Sequence, residues 1–231
     1  MCGRITIGKT KKELEEWLNR PVIIDHPEKL KKQLPLFNAC PTDYIPVILS
    51  ESQNRFTFVK WDYKNFSKIM KKPLINATSE NIFERKTFIE SIQIRRCVIP
   101  CDGYYEWMKI NEDKIPYHLH LPDYSLFALP GIYETINWEG EQLTTCAIIT
   151  QEAHSNIADI HDRMPAFLLT ENIEKWLDIS LSGEKAMELL KSYPENILVA
   201  NEVTRHLNKV RDNTSDMIIP VSSEIINVMA A

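Results

Sequence analysis

Cys97-Val98-Ile99-Pro100-Cys101-Asp102-Gly103-Tyr104-Tyr105-Glu106-Trp107 decides the class of fold. Residues 97–99 and 104–107 are β-rich runs on either side of Asp102-Gly103, a dipeptide suited to a sharp reversal, so the stretch reads as two strands hinged there. Upstream, residues 47–49 and 56–61 are separated by the polar Glu51-Ser52-Gln53-Asn54 and read as a hairpin, whereas residues 79–94 read as mostly helical. Downstream, residues 117–121, 126–129 and 143–150 are short β-rich segments spaced by Pro, Gly, Asp and Asn. Helical periodicity reappears after Thr170 through Ile173, Trp176 and Leu177, and again over residues 184–190. At the other end Thr10 caps a short amphipathic helix carrying Leu14, Trp17 and Leu18, followed by a polar, proline-punctuated stretch to Pro41. Residues 203–221 alternate polar turns with short apolar pieces, and no repeat stands out. The pattern predicts an α+β fold: a single domain over residues 1–231, built around a curved, largely antiparallel sheet or partial barrel with peripheral helices.

Composition restricts the setting. With 231 residues, 44% hydrophobic and 26% charged, the chain is long enough for one sizeable core. No basic-then-apolar leader opens it, and runs such as Ala147-Ile148-Ile149 are far too short to cross a bilayer, so a cytosolic protein without membrane contact is expected. Five cysteines, an odd number spread widely, do not form a disulfide framework and fit a reducing compartment. A net charge of -5 excludes a generally basic nucleic-acid coat and leaves room only for a localised basic groove.

The terminus carries unusual chemistry. The chain begins Met1-Cys2-Gly3-Arg4, and removal of the initiator methionine would leave an amine and a thiol on one carbon skeleton. An α-amino group titrates at ~7.7–8.0 and a cysteine thiol at ~8.5, so both are partly deprotonated near neutrality. An aldehyde is the natural target: the amine condenses to a Schiff base and the thiol then closes a five-membered thiazolidine, a path closed to an internal cysteine. The alternative is that Cys2 is an accident of the second codon.

Three more segments bear polar groups. Asn76, ending Pro73-Leu74-Ile75-Asn76-Ala77, presents an amide donor and acceptor at a sheet edge, or simply forms a turn. Glu106 sits inside an aromatic strand, where desolvation would raise its pKa toward neutrality and suit it to proton transfer; its other reading is an exposed strand face, with Tyr105 and Trp107 pointing the opposite way. Ile160-His161-Asp162-Arg163-Met164-Pro165 concentrates an imidazole, a carboxylate and a guanidinium before a proline-led strand, an arrangement that a surface ion pair also explains.

Together these segments resemble the SOS-response-associated peptidase (SRAP) family, whose members covalently capture abasic sites in single-stranded DNA. The resemblance rests on Met1-Cys2-Gly3-Arg4, Phe37-Asn38-Ala39 with Pro41, Trp61, the Pro73–Ala77 and Asp102–Trp107 segments, Ile149-Thr150 and the Ile160–Pro165 segment, in family order over nearly the whole chain. It implies that Cys2 is the cross-linking nucleophile and that Asn76, Glu106 and His161 are the polar residues around it. It further places Arg4, Asn38, Trp61, Thr150 and Arg163 along a DNA groove, with Trp61 offering a stacking surface. The implied partner is single-stranded DNA containing abasic sites, bound by a monomer that is nucleoid-associated when on DNA, with no cofactor and no metal. Two departures stand out: Thr78 follows Asn76-Ala77 where many members carry arginine, and Asp62 follows Trp61 where glycine is usual. Part of the phosphate-binding role is therefore expected to move to Lys68, Lys71, Lys72 and Arg85.

Rival readings exist. Met-Cys-Gly also opens glutamine amidotransferases with an N-terminal cysteine, but that chemistry has no role for the Glu106 and His161 segments. The family's peptidase name would use the same cysteine to remove a leader, and here Met1 alone precedes Cys2. A metal module built on Cys97, Cys101, His118 and His120 lacks a second close cysteine pair.

Overall fold

Thr10 opens the first helix with a capping box: its hydroxyl accepts from the Glu13 amide, and the Glu13 carboxylate accepts from the Thr10 amide at 2.7 Å. The computed structural model describes residues 2–24, 26–192 and 197–221; Met1, on whose removal the aminothiol chemistry depends, lies outside them. In chain order the first half comprises β1 (Ile5–Ile7), α1 (Lys11–Leu18), β2 (Val22–Ile23), β3 (Leu36–Ala39), β4 (Tyr44–Leu49), β5 (Phe56–Lys60), α2 (Phe66–Met70), β6 (Asn76–Thr78) and α3 (Ile89–Ile94). The second comprises β7 (Arg96–Cys101), β8 (Gly103–Ile110), β9 (Asp113–His120), β10 (Phe127–Trp138), β11 (Glu141–Glu152), β12 (Arg163–Pro165), α4 (Ile173–Leu177), α5 (Gly183–Glu188) and β13 (Val199–Glu202).

The strands form two sheets. One runs β13-β9-β8-β1-β3; the other runs β12-β11-β10-β7-β4-β5-β2, with β6 added beside β11. In the second sheet β11 also meets β5 through Thr145 and Lys60, so β11, β10, β7, β4 and β5 close into a barrel. Pairing is antiparallel except where β11 meets β5 and β6 and where β2 meets β5. The architecture is α+β, as the strand pattern predicts.

The expected hairpin over residues 47–61 is present as β4–β5, with Val47 opposite Thr57. At Asp102-Gly103 the structure departs from a simple hinge between partners, because β7 and β8 lie in different sheets and do not pair with each other. Asp102 is the corner, and its carboxylate fixes the turn by accepting the Gly8 amide at 2.9 Å. Gly103 is required just beyond, since a Cβ there would lie 2.0 Å from Nε2 of His118. Strands β10 and β11 run well past the expected segments, joined by Glu139 and Gly140, both at positive φ, which matches the twist of the flanking strands.

Residues 79–94 are less helical than their periodicity suggests, with one 3-10 turn at Ser79–Asn81 and an α-helix only over Ile89–Ile94. Tertiary contacts take over: the Tyr63 hydroxyl donates to the Thr87 carbonyl, and the Tyr63 and Phe88 rings meet edge to face. Arg96 is fully buried and donates to the carbonyls of Ile92, Gln93, Trp176, Asp178 and Leu181, tying the ends of α3 and α4 to the barrel. The main core joins both sheets and contains Cys2, Ile5, Tyr104 and Ile148; a smaller cluster of Tyr105, Val203, Leu207 and Met217 covers the opposite face of β8. Among the described residues no helix is long and apolar enough to cross a membrane.

Candidate active site

Cys2 enters the core just ahead of β1 and is fully buried. Its carbonyl accepts from Nδ2 of Asn76 at 2.9 Å, a bond made possible because β6 lies parallel to β11 with Asn76 opposite Ile148. Burial pushes the Cys2 thiol far above its ordinary range, and the Glu106 charge raises it further. The sulfur therefore rests as a thiol.

Glu106 projects from β8 on the same face as Tyr104 and is only 3% exposed, so the exposed-face reading does not describe it. Burial pushes its carboxyl up to about 7, with the nearby Asp162 charge adding to the rise. His161 lies beyond the end of β11, in the turn that leads into β12, and its Nε2 stands 3.7 Å from Oε2 of Glu106. Its Nδ1 accepts the Arg163 amide at 2.9 Å, which places the proton of a neutral ring on Nε2, facing Glu106. Asp162 Oδ1 also lies 2.9 Å from Nδ1, in position to take up a proton-bearing Nδ1 when the ring is charged. Burial lowers the His161 pKa. Near neutrality the pair thus offers a carboxyl poised to give or accept a proton beside an uncharged imidazole.

A cleft of ≈ 520 Å³ opens over this pair, lined by Glu106, Trp107, Lys114, His161 and Asn208. Trp107 belongs to the other face of β8, but its ring reaches the strand's edge, where Nε1 donates to Oδ1 of Asn208 at 2.9 Å. The Arg4 guanidinium lies 5.6 Å from the centre of that ring and donates to Oδ1 of Asn38 and to the Leu207 carbonyl.

The structure brings Cys2, Asn76, Glu106 and His161 together and disposes the remaining candidates differently. Asn38 is buried and holds the 209–212 loop through its amide, 2.9 Å from the Asp212 carbonyl. Trp61 is buried as well, its Nε1 bonded to the Ile75 carbonyl at 3.0 Å, so its ring faces the core. Thr150 is buried opposite Thr78 and Pro165, and its hydroxyl has no protein partner among the described residues. Arg163 is gripped at both Nη atoms by Glu80, at 2.8 and 2.9 Å, and the bond holds the Glu80 carboxyl down to about 2. Lys71, Lys72 and Arg85 are exposed. Lys68 lines a different cavity. Asp62 is buried and accepts from the amides of Ser67 and Leu74, so it staples the loop around α2. His118 and His120 are engaged with Thr6 and Asn201 respectively and stack on each other.

Sequence reading passed over Tyr104, Trp107, Lys114 and Glu80. Tyr104 was accessible through alternation, being two residues from Glu106 on one face; its buried hydroxyl has no partner among the described residues. Glu80 carried no local signal, because it meets Arg163 only through the folded β6–β11–β12 edge.

Fold and site define a class: a β-barrel protein that places a cysteine at its second residue against an amide, a buried carboxyl of near-neutral pKa and an imidazole. Residues 1–210 match the family model described as SOS response associated peptidase (SRAP), and the chain belongs to that family. It is 32% identical over 226 residues to the abasic site processing protein YoqW of Bacillus subtilis, covering 94% of this chain and 99% of that one. The abasic site processing protein YedK of Escherichia coli is 28% identical, with 96% and 100% covered. A crystal structure of a protein from Bacteroides thetaiotaomicron superposes with a TM-score of 0.81 at 26% identity, covering 96% of this chain and 100% of that one.

Proposed function

We propose that this protein processes abasic sites in single-stranded DNA by forming a covalent thiazolidine between Cys2, freed of Met1, and the ring-opened deoxyribose, as part of a response to DNA damage. The names of its relatives support the lesion, and one observation supports the chemistry: a buried carboxyl with a pKa of about 7, Glu106, set beside Cys2 and His161. In this reading the amine of Cys2 adds to C1′ of the open aldehyde. Glu106 delivers the proton that lets the resulting carbinolamine lose water. The Cys2 sulfur then adds to the C=N carbon, its proton passing to the nitrogen, which closes the ring. His161 assists opening of the sugar hemiacetal, and Asn76 fixes the nucleophile through the Cys2 carbonyl. Each proton-transfer role is worth about 10²–10⁴-fold in rate. Closing the ring removes the iminium that would otherwise promote β-elimination, so the strand is shielded.

Arg4, stacked on Trp107 of the cleft wall, and Arg163, two residues from His161, together with Lys71, Lys72 and Arg85 outside the cleft, are the groups assigned to the DNA, whereas Thr150 is buried in β11. Asn38 acts by holding Arg4, and Trp61 by holding the strand end that carries Asn76. The family's peptidase name would engage the same cysteine, with Met1 as the residue ahead of it in this sequence.

The test uses Met1-processed protein and a single-stranded oligonucleotide with one abasic site. A heat-stable adduct should form with the wild type and be absent with Cys2→Ala; Cys2→Ser should not give the stable product. No wild-type adduct would refute the proposal, and glutamine hydrolysis at a substantial rate would favour the amidotransferase.

A further inference from the structure

A second cavity, of ≈ 580 Å³, shares no lining residue with the Glu106–His161 cleft. It lies between the loop bearing Lys29 and Lys31, the facing ends of β4 and β5, the start of α2 and the tip of the β10–β11 hairpin. In a chain of net charge -5, its wall carries Lys29, Lys31, Lys60 and Lys68 against the single carboxylate of Glu141. Glu141 is already engaged, 2.9 Å from Lys29, and Lys60 is matched from behind by Asp62 at 3.4 Å. Lys31 and Lys68 are exposed and have no carboxylate within ion-pair distance among the described residues.

The cations also oppose one another. Burial lowers the Lys60 pKa, Asp62 from behind raises it, and Lys68 and Lys31 in front lower it again, so an anion seated between the three lysines would relieve the repulsion on the open side. Half-buried Tyr44 and Trp138 supply ring surface in the same wall. The space is of the size that takes a small ligand, about 300–1,000 Å³. It does not end there: a neighbouring cavity of ≈ 530 Å³ shares Lys29, Tyr44, Gln142 and Leu143 and continues past His26, Arg55 and the single carboxylate of Glu51, so the cationic excess is concentrated in the first cavity. A groove that is elongated, cationic and partly aromatic suits a chain of phosphates with bases better than a compact anion.

We propose that this groove binds the phosphodiester backbone of single-stranded nucleic acid, with phosphates at Lys31, Lys60 and Lys68 and a base against Trp138. The contact needs no lesion and is separate from the cross-linking cleft. It goes beyond the function proposed above, since it gives the protein a hold on intact strand.

The probe is a fluorescein-labelled oligothymidylate of about twelve nucleotides without an abasic site, followed by anisotropy across a salt series. All proteins carry Cys2→Ala, so that covalent chemistry plays no part. Lys31→Glu with Lys68→Glu, both at exposed positions, should weaken binding at least tenfold at low salt. The slope of log affinity against log salt should shrink by about 1.4, the share of two phosphates on a single strand. Thermal melting verifies that the variants fold. Equal affinities and slopes for the long probe would overturn the proposal. It would equally fall if inorganic pyrophosphate bound the parent but not the double variant while both held the long probe alike, for the groove would then take a free polyphosphate. Loss of abasic cross-linking in the Cys2-bearing protein, with these binding results intact, would refute the lesion chemistry alone.

Discussion

Replacing Glu106 by glutamine isolates the electrostatic cost built into the site. The Glu106 carboxyl stands at about 7 in the fold, against 4.5 for an ordinary glutamate, so the folded state holds its proton more tightly than the unfolded chain does. Below pH 4.5 both states are protonated and stability is intact. As the pH rises toward 7 the unfolded chain releases the proton while the fold keeps it, and stability is progressively lost. At about 1.4 kcal/mol per pH unit, the loss reaches about 3 kcal/mol once the pH has passed 7. Glu106→Gln has no such term. Urea unfolding of the two proteins at several pH values between 4 and 8.5 cancels the titration of every group that does not interact with Glu106, and the variant should gain about 3 kcal/mol on the wild type across that range. A difference independent of pH would show that the carboxyl is not perturbed by burial, and the assignment of Glu106 as the proton carrier would lose its basis. The cross-linking rate supplies the functional half: its wild-type pH profile should break near 7, and Glu106→Gln should lose that break while slowing at least tenfold.

Other expectations follow from individual contacts. Glu80→Gln releases Arg163 from a half-exposed ion pair worth up to about 1 kcal/mol, so affinity for single-stranded DNA should rise by up to about fivefold; weaker binding would contradict a DNA role for Arg163. Arg96→Met leaves five carbonyls without their donor and should cost about 3–5 kcal/mol in urea unfolding, and a loss under 1 kcal/mol would contradict the pinning of α3 and α4 to the barrel. Asn76→Ala removes the bond to the Cys2 carbonyl; single-turnover cross-linking should slow by about 10²-fold with DNA affinity retained, whereas an equal loss of affinity would make Asn76 a binding residue.

Strand identity was readable where β-branched and aromatic runs alternate with strong turn residues, as in Phe56–Lys60, but not over residues 130–142, where β10 and β11 continue to their turn at Gly140. Partnership was not. Asp102-Gly103 looks like a turn between neighbours but is a corner between sheets, and nothing local distinguishes the two until β1 and β9 flank β8. The helical periodicity of residues 79–94 was overridden by Tyr63, which takes the Thr87 carbonyl. For the site, residue type and resemblance singled out Cys2, Asn76, Glu106 and His161, which the fold gathers from the segment ahead of β1, from β6, from β8 and from the β11–β12 turn. Exposure was the hidden variable elsewhere: a tryptophan such as Trp61 reads the same whether its ring faces DNA or the core, and Arg163 shows nothing of Glu80 in its neighbourhood of sequence.

Mass spectrometry of the adduct tests the central claim most directly. Protein lacking Met1, incubated with an abasic oligonucleotide, should give a product equal in mass to the two components less one water, linked through residue 2. The thiazolidine predicts that this product resists borohydride, gaining no hydrogens, and that the Cys2 sulfur no longer reacts with a thiol reagent. An adduct that borohydride reduces and that leaves the Cys2 thiol free would stop at the imine, and linkage at any other residue would contradict the account altogether.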